Sequence, residues 1–327
     1  MNFNRRTTIT LLLIGFVTLM VLLSASFKHY NKREIVINEY SAQTTRTIEE
    51  ENKEEVSLKL VQERMYSGPV NRVPWEKDPE FLKAQEENNT FVMMAAYRTV
   101  LPNPLPGEEA NVHLGAKYLR GKVIKPGEVF SQNFAVGPYS QWRGFQEGPV
   151  YLGTQLSRTT GGGVCKIAST LYNVAVICNL PVVERHAHSM PVPYVPYGQD
   201  ATVNYGAKDI KFTNNLSHPI LIWSQGVGNN LYVALYSNSK PPQVKWHHKV
   251  LKIQKAHKVY KNNWSLPEGE EKLVYPGMDG ALIKSWVTIE DKDGKPEIKQ
   301  MGSCWYSPMP HIIEKGRMSP ALSEQQD

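Results

Sequence analysis

Gly161-Gly162-Gly163-Val164-Cys165-Lys166-Ile167-Ala168-Ser169-Thr170-Leu171 passes from a glycine run into a helix-forming pattern within a few residues. Three consecutive glycines do not belong in a helix interior, where each costs roughly 1 kcal/mol relative to alanine. They suit a loop that needs unusual dihedrals or close backbone approach. Beyond them Val164, Ile167, Leu171, Val174, Ala175 and Cys178 recur at spacings of three and four, which predicts a helix to about Asn179. Cys165 then sits in the first helical turn, where the positive end of the macrodipole and unpaired N–H groups favour a thiolate. The local pattern leaves two readings open: a nucleophile, or a small buried residue in a tight loop-to-helix joint.

Working outward, Lys125-Pro126-Gly127-Glu128 reads as a turn, and Ala110 to Leu119 as a helix with Glu108 and Glu109 in its acidic first turn. Downstream the pattern becomes extended. Ala201–Tyr205, Pro219–Ser224 and Leu231–Tyr236 read as strands, the last two joined through Gly226, Gly228, Asn229 and Asn230 as a hairpin. Helices followed by antiparallel strands predict an α+β domain. From 247 to 316 a smaller all-β module follows. There Leu282–Ile289 alternates, Asp291-Lys292-Asp293-Gly294 makes a turn, and Glu297–Tyr306 returns. Its aromatics, Tyr260, Trp264, Tyr275, Trp286, Trp305 and Tyr306, are expected in its core.

The 327 residues allow about two domains, and 41% hydrophobic with 21% charged residues is ordinary for a globular chain. Thr7 to Phe27 carries no charge and follows Arg5 and Arg6, a length suited to crossing a bilayer with the N-terminus inside. A cleaved secretory signal competes, with Ser24-Ala25-Ser26 as its small-residue site. Either way the bulk of the chain is expected outside the cytoplasm. The expected organisation is a transmembrane or signal segment over 1–30, a charged stalk over 31–75 and a main domain over 76–246. The β module over 247–316 and a tail over 317–327 complete it. Three cysteines leave at least one thiol unpaired and exclude a disulfide scaffold. Cys178 reads as core. A net charge of +6 on an exported chain points to anionic lipid or wall polymer instead of nucleic acid.

A thiol acting in acyl transfer needs a base and an orienting partner. Glu184-Arg185-His186-Ala187-His188-Ser189 supplies two histidines, and Asp200 follows Tyr194 and Tyr197. His188 or His186 can serve as base, with Asp200 or a backbone carbonyl fixing its tautomer; simple exposure of both histidines is the competing reading. No metal-ligand spacing accompanies His186 and His188, or the second pair His247-His248, so neither metal nor cofactor is expected.

Several blocks occur together and in order: Lys125-Pro126-Gly127-Glu128-Val129-Phe130-Ser131, Val136-Gly137-Pro138, Arg143-Gly144-Phe145, Gly161 to Cys165, Ser169 to Asn173, Glu184-Arg185, His188-Ser189 and Gly198 to Val203. This set resembles the VanW domain family. Ser265 to Gly269, Gly277, Asp279-Gly280, Asp293-Gly294-Lys295 and Tyr306-Ser307-Pro308 resemble the G-five module. The resemblance implies a bacterial envelope protein acting at peptidoglycan, of a family named from a glycopeptide-resistance cluster. Some members are regarded as cysteine-dependent L,D-transpeptidases. On that model Cys165 is the nucleophile, His188 the base and Asp200 its partner, with Gly162, Gly163, Lys166, Arg143 and Tyr194 on the substrate side. Lys166 departs from the glutamine common after the family's cysteine. A non-catalytic wall-binding scaffold and a water-using cysteine peptidase or amidase are the rival expectations.

Overall fold

A computed structural model of the protein describes residues 67–101, 103–152, 155–290 and 295–317. The expected anchor over 1–30, the stalk as far as residue 66, the turn Asp291–Gly294 and the tail beyond 317 lie outside the described residues, whereas residues 67–75 supply β1, Val73 and Trp75 to the folded domain. Among the described residues no helix is long and apolar enough to cross a membrane.

In chain order the strands are β1 (Gly68–Pro69), β2 (Val92–Val100), β3 (Lys122–Ile124), β4 (Val129–Ser131), β5 (Glu147–Leu152), β6 (Gln155–Thr160), β7 (Val182–Glu184) and β8 (Lys211–Thr213). They continue as β9 (Ile220–Val227), β10 (Asn230–Ser237), β11 (Gln243–Gln254), β12 (Lys258–Asn263), β13 (Glu271–Tyr275), β14 (Gly280–Glu290), β15 (Pro296–Tyr306) and β16 (His311–Gly316). Four helices are described: α1 (Pro79–Asn88), α2 (Glu108–Leu119), α3 (Gln132–Val136) and α4 (Cys165–Ile177). The described part is mostly β, with helices confined to its first half.

The centre is an antiparallel sheet ordered β1-β2-β10-β9-β3. The two-residue side-chain period of β9 and β10 serves both of its faces. Leu231, Val233, Leu235, Ile220 and Ile222 point into the main core, where Ile167, Leu171 and Val174 of α4 and Val112, Ala116 and Leu119 of α2 meet them. Ala234, Tyr236, Leu221 and Trp223 face the other way and pack with Phe81 of α1 and Trp75. Trp75 Nε1 donates to the Tyr236 hydroxyl at 2.9 Å, so that indole is satisfied in the second core. Lys166 through Val176 of α4 are all buried. Such a helix is held by tertiary packing, with little contribution from its intrinsic propensity.

The module forms two three-stranded sheets, β11-β14-β15 and β12-β16-β13, with β12 and β16 parallel. Val287 and Ile289 of β14 join the main core, and the Tyr172 and Trp246 rings meet edge-on at 5.8 Å.

Two expectations are corrected. Ala201–Tyr205 forms no ladder strand: only Asn204 makes an isolated bridge, to Lys208. Its amides are committed elsewhere, Ala201 N–H to Ser169 Oγ and Thr202 N–H to the His186 carbonyl. The module's aromatics are not its core either. Tyr260, Trp264 and Trp305 are exposed and Tyr306 alone of the six is fully buried, because each module sheet leaves much of its surface uncovered. The helix at Glu108–Leu119, the β9–β10 hairpin, β14 and β15 match the sequence pattern, and Cys178 is buried at the end of α4.

Candidate functional site

The glycine run is shaped by close approach. A Cβ on Gly162 would lie 2.2 Å from the Gly148 carbonyl carbon, and Gly163 adopts φ +99°, a region that side chains disfavour. This lets hairpin β5–β6 press against the start of α4. No side chain caps α4 there; the Lys166 and Ile167 N–H groups close on the Gly163 and Val164 carbonyls, and the positive end of the helix dipole acts on Cys165.

The rest of the site is a loop laid along one face of α4. Cys165, Ser169 and Asn173 stand four residues apart, hence on one side of the helix. Val203 N–H donates to Cys165 Sγ at 3.5 Å; Ser169 Oγ donates to the Ala201 carbonyl and accepts from its N–H; Asn173 Nδ2 donates to the Gln199 carbonyl at 2.7 Å. These contacts draw residues 199–203 past the thiol and set Asp200 behind His188.

His188 Nδ1 lies 2.6 Å from Asp200 Oδ2, and the His188 backbone N–H donates to the same oxygen at 2.7 Å. The ring and the Cys165 thiol shift each other's titration, and with Nδ1 on the carboxylate Nε2 is the nitrogen left to serve the sulfur. Asp200 Oδ1 accepts from Arg185 Nη2 at 2.9 Å and from the Tyr306 hydroxyl at 2.5 Å. Burial disfavours the charge on each group, but the partners outweigh it. Burial raises the Asp200 pKa, yet His188 and Arg185 hold the carboxyl below its usual range. Burial lowers that of His188, yet Asp200 and Cys165 push it up to about 9. Burial raises that of Cys165, yet His188, Thr202 Oγ1 at 3.3 Å and Val203 bring the thiol below its ordinary value. The shifts therefore favour a thiolate–imidazolium pair backed by a carboxylate.

The expected substrate-side residues fare differently. Lys166 is a correction: its ammonium is fully buried, donates to Glu109 Oε1 at 2.7 Å and to the Asn229 carbonyl, and so points away from the thiol into the α2–α4 joint. Residues one apart on a helix do not share a face, which is the geometric reason. Gly162 is likewise buried, with its N–H committed to the Thr159 carbonyl, and acts in packing. Arg143 stacks over the Tyr118 ring at 4.1 Å and donates to the Gly137 carbonyl. Tyr194 is buried behind the site with its hydroxyl on Ser169, and burial keeps that phenol protonated. Gly163 stays half-buried beside Cys165, with Glu108 Cγ 2.7 Å from where a Cβ would stand and its carbonyl accepting from Lys166 N–H, so it too is held by packing. His186 pairs with Glu184 at 3.1 Å, which leaves His188 as the base. Arg185 and Tyr306 were given no role by the sequence, although both stand inside the motif blocks; Thr202 also lacked one. Their signal was the Cys165, Ser169, Asn173 polar stripe on an apolar helix, which implies a polar segment docked there.

Cys165, His188 and Asp200 thus stand as a thiol, an imidazole and a carboxylate brought together at a helix N-terminus. Residues 107–236 match the family model described as VanW like protein. It is 36% identical over 145 residues to a Bacillus subtilis (strain 168) protein named "Uncharacterized protein YoaR", covering 44% of this chain and 48% of that one. It is 31% identical over 118 residues to the vancomycin B-type resistance protein VanW of Enterococcus faecalis (strain ATCC 700802 / V583), covering 35% of this chain and 43% of that one. The chain thus matches about half the length or less of these curated relatives. Two solved structures are similar over part of the chain. The G5 domain of an IgA1 protease covers 24% of this chain and 96% of its own at 16% identity, with TM-score 0.16. HP0197-G5 covers 23% and 99% at 17% identity, with TM-score 0.14.

Proposed function

We propose that this chain is a cell-envelope protein whose VanW-family domain carries out cysteine-dependent acyl transfer on peptidoglycan stem peptides. The observation that carries this reading is the Cys165–His188–Asp200 series, with its lowered thiol and raised imidazole. The thiolate attacks the carbonyl that precedes a D-amino acid. The positive end of the α4 dipole, at whose first residue Cys165 stands, favours the tetrahedral oxyanion. His188 gives its proton to the departing amine, leaving a thioester on Cys165. An acceptor amine then attacks, neutral His188 takes its proton, and the new amide forms as the thiolate leaves. Asp200 stays ionised and steadies the imidazolium throughout. Relatedness to a vancomycin-resistance protein supports placement at the envelope. The uncharged run Thr7–Phe27 serves as the membrane anchor, and the G-five-like module over 247–316 faces wall polymer.

The test is to incubate the full chain with wall fragments bearing tetrapeptide stems and an acceptor amine. Intact-mass analysis should find an acyl adduct on Cys165 and a cross-linked product, both absent from Cys165→Ala. Release of the acyl group to water alone would make the protein a hydrolase. A wild-type chain with no adduct and no product would leave a non-catalytic wall scaffold as the function.

A further inference from the structure

The end of β15 belongs to the module, yet two of its last positions and the residue that follows it grip the thiol site. Arg185 Nη1 lies 3.1 Å from Cys304 Sγ, the Tyr306 hydroxyl reaches Asp200 Oδ1 at 2.5 Å, and Ser307 N–H donates to the Ser189 carbonyl at 2.8 Å. Tyr306 is 1% exposed, and its hydroxyl also accepts from Gly198 N–H at 2.9 Å. Its ring is packed edge-on against Tyr197 at 5.3 Å, and the Tyr197 hydroxyl donates in turn to the Asp279 carbonyl of the module. The two Asp200 oxygens thus have separate duties. Oδ2 receives both His188 donors, whereas Oδ1 receives Arg185 and Tyr306. A carboxylate held at one oxygen only can turn about its Cβ–Cγ bond and lose the in-plane bond to Nδ1. Two donors at the far oxygen prevent that turn.

We infer that Tyr306, carried by the C-terminal module, is a positioning residue for the reactive site: its hydroxyl locks the Asp200 carboxylate and thereby the His188 ring that faces Cys165. The inference rests on the acyl-transfer reading only for its functional consequence. Its geometric content concerns the thiol alone and can be read without any wall substrate. The module is on this account a structural component of the site, whatever polymer it also meets.

The test uses the full chain with Tyr306→Phe and Tyr306→Leu, read by the pH profile of Cys165 alkylation with iodoacetamide. Phenylalanine keeps the buried ring and removes only the lock. Tyr306→Phe should move the Cys165 titration upward by about half a pH unit or more, about a threefold loss of thiolate below the titration. Thioester formation should fall by about tenfold, as for a misplaced catalytic group. Tyr306→Leu should do at least as much. If phenylalanine leaves both profile and thioester rate unchanged while leucine alone lowers the melting temperature, Tyr306 is packing and the inference fails. A wild-type thiol that titrates at its ordinary value, unmoved by His188→Ala, would instead overturn the site reading itself.

Discussion

At the scale of residues, the decisive quantity is how the Cys165–His188 pair shares its protons. The first proton leaves below the ordinary thiol range and the second near 9, where His188 loses its charge. The iodoacetamide rate of Cys165 should therefore climb in two steps, reach a plateau between them, and climb again around pH 9. His188→Ala should collapse this to one step at higher pH, because the burial that raises the thiol is then opposed by Thr202 and Val203 alone. At pH 7 that is a loss of about tenfold or more in rate, and a single unshifted step in both proteins would refute the pair. Lys166 poses a separate question. Its buried ammonium is held by Glu109 and the Asn229 carbonyl, so Lys166→Met should destabilise by about 2–4 kcal/mol through the carboxylate left behind. Denaturant melts should record that loss while the Cys165 profile stays put; a shifted profile would show that the charge reaches the thiol.

At the scale of elements, α4 explains why so much of the site could be read in advance and where reading stopped. Its apolar spacing and leading glycines placed Cys165 at the first turn, and the motif blocks brought His188 and Asp200 beside it. Neither pattern reports what a polar residue on a buried helix touches. Ser169 and Asn173 hold the backbone of 199–203, so a segment with strand-like composition is fixed as a docked loop. Lys166 was read as a site residue because it follows Cys165 in sequence, whereas one step along a helix turns the side chain to another face. Ser169→Ala would leave the Ala201 N–H and carbonyl without their partner in a buried place. It should cost about 1–3 kcal/mol and slow Cys165 alkylation, since Asp200 is next in the chain. A folded Ser169→Ala with unchanged stability by denaturant titration would show that water replaces the hydroxyl.

At the scale of the whole molecule, the boundary near residue 246 separates composition but not structure. Alternating strands and turns mark β14 and β15 in the sequence as a self-sufficient module, because such patterns report local elements and are silent about what the elements dock against. The structure gives Val287 and Ile289 to the main core, pairs Gln199 with His248, and places Tyr306 on Asp200. Burying Val287 and Ile289 alone is worth about 2 kcal/mol apiece. Their removal would also uncover Trp246 and Tyr172, which now pack together. A chain ending at residue 246 should therefore lose more than a wall-facing appendage. Where the full chain should show one cooperative transition for the two parts, the shortened one should melt earlier and less cooperatively. Its Cys165 should drift back toward ordinary thiol reactivity as Asp200 loses Tyr306 and Arg185 loses its Cys304 contact. Calorimetry and alkylation on the same two proteins decide the matter. An unaltered melting temperature with an unaltered Cys165 profile would mean that the module is merely appended; a joint fall in both is the outcome that the shared core and the Tyr306–Asp200 bond require.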